Sequence, residues 1–349
     1  MSMKKWQQIL SNTITDVETL SKHIKIDKKR MKRVGRKYAI GINPYYLSLI
    51  RKHGGPIWKQ CIPDTLEVID EIGRRDPLME DKYTPIKGIV HRYRDRVLLV
   101  VSNMCAGYCR FCTRKRKIGL KDKTVKKEKF KKALNYIKRH KYVRDVIISG
   151  GDPLLIYDDM IEHYLRELRK IKHVQIIRID SRTPCVLPQR ITPKLCGIFK
   201  KYHPIYFNTH FNHYYEITKE SRKACEMLAD AGVVMGNQTV LMRGVNDDAK
   251  TLKRLFEELL TMRVRPYYLY LPDAVKGTYH FRVSIRRALK IMKQLIGHTS
   301  GLAIPHFIVD LKHGGGKTPL LPNYIIKHIG KRYVFKNFEG KKFFYADVE

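Results

Sequence analysis

From Arg96 onward the chain repeats one local pattern, a short run rich in β-branched and aromatic residues followed by a helix-length amphipathic segment. The runs are Val97–Ser102, Val146–Ser149, Val174–Ile179, Ile205–Asn208, Val233–Val240, Tyr267–Tyr270 and Phe307–Val309. Between them lie Lys126–Arg139, Asp159–Lys172, Pro193–Tyr202, Glu216–Ala231, Asp248–Met262 and Ser284–Leu295. Strands alternating with helices imply βαβ units and a parallel sheet. Six such units predict a full or partial (β/α) barrel, in which chemistry gathers at the C-terminal ends of the strands. Distinctive polar residues fall at those ends: Cys105, Gly150-Gly151-Asp152, Ser181-Arg182, Asn208 to His213, Gln238, Asp273 and Asp310.

Residues 1–90 read as a separate helical region, with helix-period apolar positions in Ile9–Ile24 and Leu66–Ile72 and prolines at 44, 56, 63, 77 and 85 cutting it short. The barrel is expected over 91–312, and 313–349 should hold a glycine-rich loop and a β-hairpin, Arg332–Tyr345, turning at Glu339-Gly340. With 43% hydrophobic residues, 349 positions suffice for one large core. No apolar run reaches the roughly 18 residues of a membrane span, and the first residues lack the apolar core of a secretory leader. The expected compartment is the cytoplasm.

The net charge of +37 first suggests nucleic acid. It is spread, however, over Lys28–Lys37, Arg110–Lys132, Lys138–Lys141, Arg166–Lys172 and Lys327–Lys342, rather than gathered in one patch. Nucleic acid is therefore disfavoured as a partner, and the run after Cys112 is expected to be a solvated face.

Seven cysteines are an odd number and no disulfide framework. Cys61, Cys185, Cys196 and Cys225 stand singly among apolar residues and are expected in the core. Cys105-x3-Cys109-x2-Cys112 is different. Thiolates suit iron–sulfur clusters and zinc, but structural zinc wants four ligands. A [4Fe–4S] cluster held by three cysteines keeps one iron open to a further ligand.

A second feature is Asp310-Leu-Lys-His-Gly-Gly-Gly-Lys317-Thr-Pro. Leu311 stands where the first glycine of a phosphate loop would be, and prolines 319 and 322 follow instead of a helix, so nucleotide hydrolysis is disfavoured. A lysine beside a strand end can instead form a Schiff base.

The cysteine motif after the first barrel strand, with Gly150-Gly151-Asp152 after the second, resembles the radical S-adenosylmethionine superfamily and so implies a partial barrel of that type. Together with His91–Arg96, Thr113-Arg114, Ser181–Pro184, Asn208–His213, Gly236–Gln238 and Gly314–Pro319, it resembles the lysine 2,3-aminomutase family over roughly 40–345. The resemblance implies an isomerase with a [4Fe–4S] cluster on Cys105, Cys109 and Cys112, and with S-adenosylmethionine and pyridoxal 5'-phosphate. It would move the amino group of L-lysine from Cα to Cβ through an adenosyl radical. By the same resemblance Lys317 would carry the pyridoxal phosphate, with Arg92, Tyr93 and Arg96 around it. Gly150, Gly151, Asp152, His210 and Gln238 would be cofactor contacts, Arg114 would take the substrate carboxylate, and Asp273 and Asp310 its ε-ammonium. A flavodoxin- or ferredoxin-type electron donor is implied, and homo-oligomer formation is compatible with it.

The chain departs from the family at Phe111, where histidine is common, and at His313, where glycine is usual. The family's C-terminal zinc-binding cysteines have no counterpart, and Asp248 stands in the place of their partner cysteine, so zinc is not expected. Two alternatives remain: a shorter relative that supplies β-lysine for translation elongation factor P, and a radical enzyme that modifies nucleic acid.

Overall fold

The computed structural model describes residues 3–119 and 127–348. Nine strands form one sheet in strict sequence order, β1 (Ile89–Tyr93), β2 (Arg96–Ser102), β3 (Asp145–Gly150), β4 (Ile176–Asp180), β5 (Ile205–Thr209), β6 (Val234–Val240), β7 (Arg265–Tyr270), β8 (His306–Leu311) and β9 (Gly316–Pro319). From β2 to β8 every neighbour is parallel. The antiparallel strands β1 and β9 finish the two edges. All seven sequence-predicted strands are present within about two residues of their expected ends, an error usual for pattern reading.

Five short helices precede the sheet, α1 (Lys5–Ser11), α2 (Val17–Ser21), α3 (Lys28–Gly35), α4 (Pro44–His53) and α5 (Gly55–Cys61). The crossovers carry α6 (Lys127–Arg139), α7 (Asp158–Arg169), α8 (Thr183–Val186), α9 (Pro193–Lys201), α10 (Lys219–Asp230), α11 (Ala249–Thr261) and α12 (Ile285–Leu295). Their apolar faces bury Leu134, Leu165, Phe199, Leu228, Phe256 and Met292 against strand residues such as Ile148, Ile177 and Phe207 in one continuous core. Asp248 accepts a hydrogen bond from Thr251 N (2.8 Å) and so caps α11.

The linear strand order leaves the sheet open, yet its edges curl toward each other. Arg92 on β1 donates to Asp310 on β8 (2.9 Å), and the Lys317 backbone N–H on β9 donates to the Tyr93 hydroxyl (3.1 Å). The seam of this nearly closed barrel is therefore bridged by side chains. Lys317, expected in a glycine loop beside a strand end, lies on the edge strand itself, directly across the β8–β9 pair from Asp310.

The N-terminal region lies over the C-terminal ends of the barrel strands. Asn43 Nδ2 donates to the carbonyls of Ala106 and Val186 (2.8 Å each), and Arg74 bridges to Val275. The predicted helix over Leu66–Ile72 is only a 3-10 turn at Thr65–Glu67. The reason is competition from side chains: Asp70 accepts from the N–H groups of Ile72 and Gly73 on its own segment and from Gly277 and Thr278 across the fold. Likewise Ile9–Ile24 is split into α1 and α2, because Ile14 pairs with Ile42 in an isolated bridge. A separate antiparallel sheet, β10 (Ile325–Ile329), β11 (Arg332–Lys336) and β12 (Lys342–Ala346), contains the expected hairpin and one further strand. Among the described residues no helix is long and apolar enough to cross a membrane.

Candidate functional site

Every site residue read from the sequence lines one cavity of about 420 Å³ inside the barrel: Cys105, Cys109, Cys112, Gly150, Gly151, Asp152, His210, Gln238, Arg114, Arg92, Tyr93, Arg96, Asp273, Asp310 and Lys317. The remaining cysteines, Cys61, Cys185, Cys196 and Cys225, are buried elsewhere in the core, as expected.

The cysteines sit on the loop that leaves β2. Among the described residues, no three histidine, cysteine or carboxylate side chains converge closely enough to hold a single ion. Three thiols spread around one cavity wall instead fit a cluster, in which each thiolate binds its own iron. Burial, and then the nearness of Cys112, push the Cys105 thiol well above its ordinary range; burial and Cys109 push Cys112 to about 11. Such a donor set needs a cationic group before it ionises together.

Gly150 and Gly151 hold this loop in place. Gly151 N donates to Ser102 O and Asp152 N to Met104 O (2.6 Å each). A Cβ on Gly150, which has φ +145°, would lie 2.2 Å from Ser102 O, and one on Gly151 would lie 2.3 Å from Met104 O. These glycines are thus required by the close approach of the cysteine loop itself. The Asp152 carboxylate is likewise occupied within the protein, accepting from Leu154 N (3.0 Å), Ser181 Oγ (2.7 Å) and Arg182 N (3.0 Å).

The seam lines the same cavity. Lys317 Nζ is 3.4 Å from Asp310 Oδ2 and sits 5.9 Å and 5.8 Å from the ring centres of Tyr93 and Tyr270. Arg92 and Arg96 stack on Tyr93, so this wall offers two guanidiniums, a phenol and an amine. Asp273 follows β7. Burial, and then the charge of Asp310, raise its carboxyl to about 7 against the pull of Lys317 and Arg92.

Buried polar atoms without a protein partner also point to a ligand. Arg92 Nε, Thr209 Oγ1 and His210 Nε2 are three such atoms, all on residues that line this cavity. Burial, followed by the Arg182 charge, lowers the pKa of His210 to about 3, so its ring is neutral. Phe111 meets His210 edge-on at 5.6 Å, so this position on the cysteine loop is filled with apolar contact.

Arg114 reaches the cavity already paired. Its Nε and Nη2 donate to Glu80 Oε1 (2.7 and 2.6 Å), and Nη1 donates to Gly150 O (3.0 Å). Lys117 holds the other Glu80 oxygen at 3.0 Å. Burial opposes ionisation of Glu80, but Arg114 and Lys117 outweigh it and hold the carboxyl at about 2. The first part of the basic run after Cys112, residues 114–117, is consequently not the solvated face expected of it, whereas Lys131 and Lys132 further along are exposed. Arg116 pairs with Asp76 and Asp81, and Lys115 pairs with buried Glu67, which Arg110, ahead of Cys112, also holds. Residues 120–126 of that run lie outside the described residues.

Sequence reasoning missed Glu80, Asp180 and Glu216, and marked Arg182 at a strand end without giving it a role. Asp180 lines the cavity, accepts from Asn208 Nδ2 (2.8 Å) and is raised by burial. The acidic segment around Glu80 carried a weak signal, its complementarity to Arg114–Lys117.

Comparison with known proteins agrees with this geometry. Residues 292–349 match the family Lysine-2,3-aminomutase, and residues 99–256 match the Radical SAM superfamily. An L-lysine 2,3-aminomutase of Fusobacterium nucleatum is 48% identical over 99% of this chain and 82% of its own length. A glutamate 2,3-aminomutase of Clostridioides difficile is 47% identical over 97% of this chain and 81% of its own. Among solved structures, Streptococcus suis SuiB bound to S-adenosylmethionine aligns at a TM-score of 0.47 with 14% identity, covering 62% of this chain and 50% of that one. A near-full-length match at this identity, with the motif residues gathered in one cavity, places the chain in the lysine 2,3-aminomutase family of isomerases, within the radical SAM superfamily.

Proposed function

We propose that this chain converts L-lysine to β-lysine, moving the α-amino group to Cβ, with a [4Fe–4S] cluster on Cys105, Cys109 and Cys112 and pyridoxal phosphate on Lys317. When bound, the cluster with S-adenosylmethionine supplies the radical that takes hydrogen from the substrate, and pyridoxal phosphate holds the migrating amino group. The protein's task is to bind, orient and exclude. Arg92 and Arg96 beside Tyr93 suit a phosphate, because guanidiniums bind it in a bidentate fork. Neutral His210, with its unpartnered Nε2, offers a hydrogen bond to a polar ligand on the cysteine side.

Substrate choice rests on the acidic pair. Lysine and glutamate aminomutases match this chain almost equally, so identity does not separate them. The observation that carries the reading is Asp273, a carboxyl raised to about 7 beside Asp310 inside the cavity. Asp310 is held by Arg92 and Lys317, but among the described residues Asp273 has no ion-pair partner, and Asp310 loses one of its two cations when the Lys317 nitrogen is engaged elsewhere. The ε-ammonium of lysine supplies that charge, whereas the side chain of glutamate would add a third negative one. Arg114 is the group suited to the substrate carboxylate, with Glu80 fixing its plane.

The direct test is anaerobic reconstitution of the full chain with iron, sulfide, pyridoxal phosphate, S-adenosylmethionine and dithionite, followed by separate assays on L-lysine and L-glutamate. β-Lysine is the expected product. Turnover of glutamate and not of lysine would sink the assignment. Lys317→Ala should remove the visible absorbance of bound pyridoxal phosphate; if it persists, another lysine carries the cofactor.

A further inference from the structure

We infer that Arg182 tunes the reduction potential of the cluster by donating a hydrogen bond to the Cys109 sulfur, with Glu216 as the counter-charge that fixes its strength. This rests on the assignment of the cluster to Cys105, Cys109 and Cys112. Arg182 follows β4 and is buried, yet each arm of its guanidinium has a partner. Nε donates to His210 O (3.2 Å), and Nη2 donates to Gln60 Oε1 (2.6 Å) and Glu216 Oε1 (2.7 Å). Nη1 points at Cys109 Sγ, 2.6 Å away. The face of the guanidinium lies 5.2 Å from the Phe111 ring centre, so apolar packing on the cysteine loop holds its plane.

Glu216 is held as firmly. It accepts from Tyr46 Oη (2.6 Å), Asn212 N (2.7 Å) and His213 N (2.9 Å). Burial opposes its ionisation, but Arg182 and these donors keep the carboxyl below its ordinary range. The result is a fixed buried ion pair whose positive end abuts one cysteine of three. Hydrogen bonds to the sulfurs and net local charge are the levers by which proteins set iron–sulfur potentials. A donor on Cys109 stabilises the added electron in the reduced cluster, which raises the potential. The nearby carboxylate opposes it.

The opposed charges give opposed predictions. In the reconstituted full chain, reduced stepwise with dithionite and followed by electron paramagnetic resonance, Arg182→Lys should shift the midpoint potential to more negative values. Glu216→Gln should shift it to more positive ones. Unchanged potentials in variants that carry the cluster would overturn the inference, as would shifts of the same sign. One measurement needs no variant, so it holds even if either substitution prevents folding. Wild-type protein grown with [15N]arginine should show an arginine nitrogen coupled to the reduced cluster in pulsed resonance spectra, and absence of that coupling overturns the inference alone. A wild-type chain that takes up no iron overturns the cluster assignment and this inference together.

Discussion

The two walls of the cavity are built differently. On the cysteine side the charged groups are answered by the protein, though His210 Nε2 and Thr209 Oγ1 are not: Asp152 by three donors, Arg182 by Glu216 and Gln60, and the loop backbone by Asn43, Gly151 and Asp152. On the seam side the charged groups are not. Asp273 is raised to about 7 beside a second carboxylate, Arg92 keeps an unpartnered Nε, and Lys317 is one-third exposed on a four-residue edge strand. A wall whose groups are satisfied keeps its shape without ligand, while a wall with unmatched charge reaches its lowest free energy only when ligand supplies the match. On the assignment proposed above, the protein pre-forms the side that would position the cluster and leaves open the side that would admit and release substrate.

The largest effect that could break this contrast is on the cysteine side. Cys109→Ala should lose cluster iron and all turnover while melting close to wild type, because the loop is anchored mainly by backbone contacts and the thiol adds only its hydrogen bond from Arg182. Iron analysis with a circular-dichroism melt checks both. A collapse in stability would show that the wall is not self-supporting.

Asp273→Asn comes next and probes the open side. Lysine affinity should fall by about tenfold to a hundredfold, the ~1.5–3 kcal/mol of a hydrogen bond to a charged group. In the wild-type enzyme lysine binding should strengthen as pH rises through about 7, since the ammonium binds the ionised carboxylate. Stability runs the other way. The folded carboxyl titrates near 7 and the unfolded one near 3.8, so its contribution is fully present below 3.8 and is lost as pH rises through 7. Ligand-free Asp273→Asn should escape that loss, and equal pH slopes in the two proteins would remove the unmatched charge from the account.

Glu80 joins the walls. Glu80→Ala would leave Arg114 desolvated without its counter-charge and should cost about 2–3 kcal/mol in urea titration. Saturating L-lysine should recover more stability in this variant's holoenzyme than in wild type, because its carboxylate can take the vacated place. Equal ligand effects would mean that Arg114 does not meet the substrate carboxylate.

How far the sequence reveals this arrangement follows the same division. The barrel was legible because period-2 and period-3.6 patterns are set by which face each element buries. The cysteines, Lys317 and the acidic pair were legible because a parallel barrel puts strand-end residues together. The edge strands β1 and β9 were not: each is short, and β9 has the glycines of a turn, so neither carries the alternation of a half-buried strand. Glu80 and Glu216 stayed hidden because each meets a partner more than thirty residues away, and no local pattern encodes such a pairing. The segment Leu66–Ile72 failed as a helix for a local reason, the N–H groups of Ile72 and Gly73 going to the Asp70 side chain.

The smallest effect concerns the loop before Lys317. His313 adopts φ +58°, ψ 28°, a left-handed conformation that costs a side-chain-bearing residue about 1 kcal/mol, at the position where the family has glycine. Its ring nitrogen meets Arg74 Nη1 at 2.8 Å, an exposed contact that ties the loop to the segment over the barrel mouth. Exposed polar contacts of this kind contribute only some tenths of a kcal/mol. His313→Gly should therefore raise unfolding stability by about 0.5 kcal/mol or less, the relieved strain being partly offset by a looser unfolded chain. A measurable loss in urea titration would reverse the balance: the Arg74 contact would then outweigh the strain, and the seam would be anchored on its outer side even though its inner side is left for ligand.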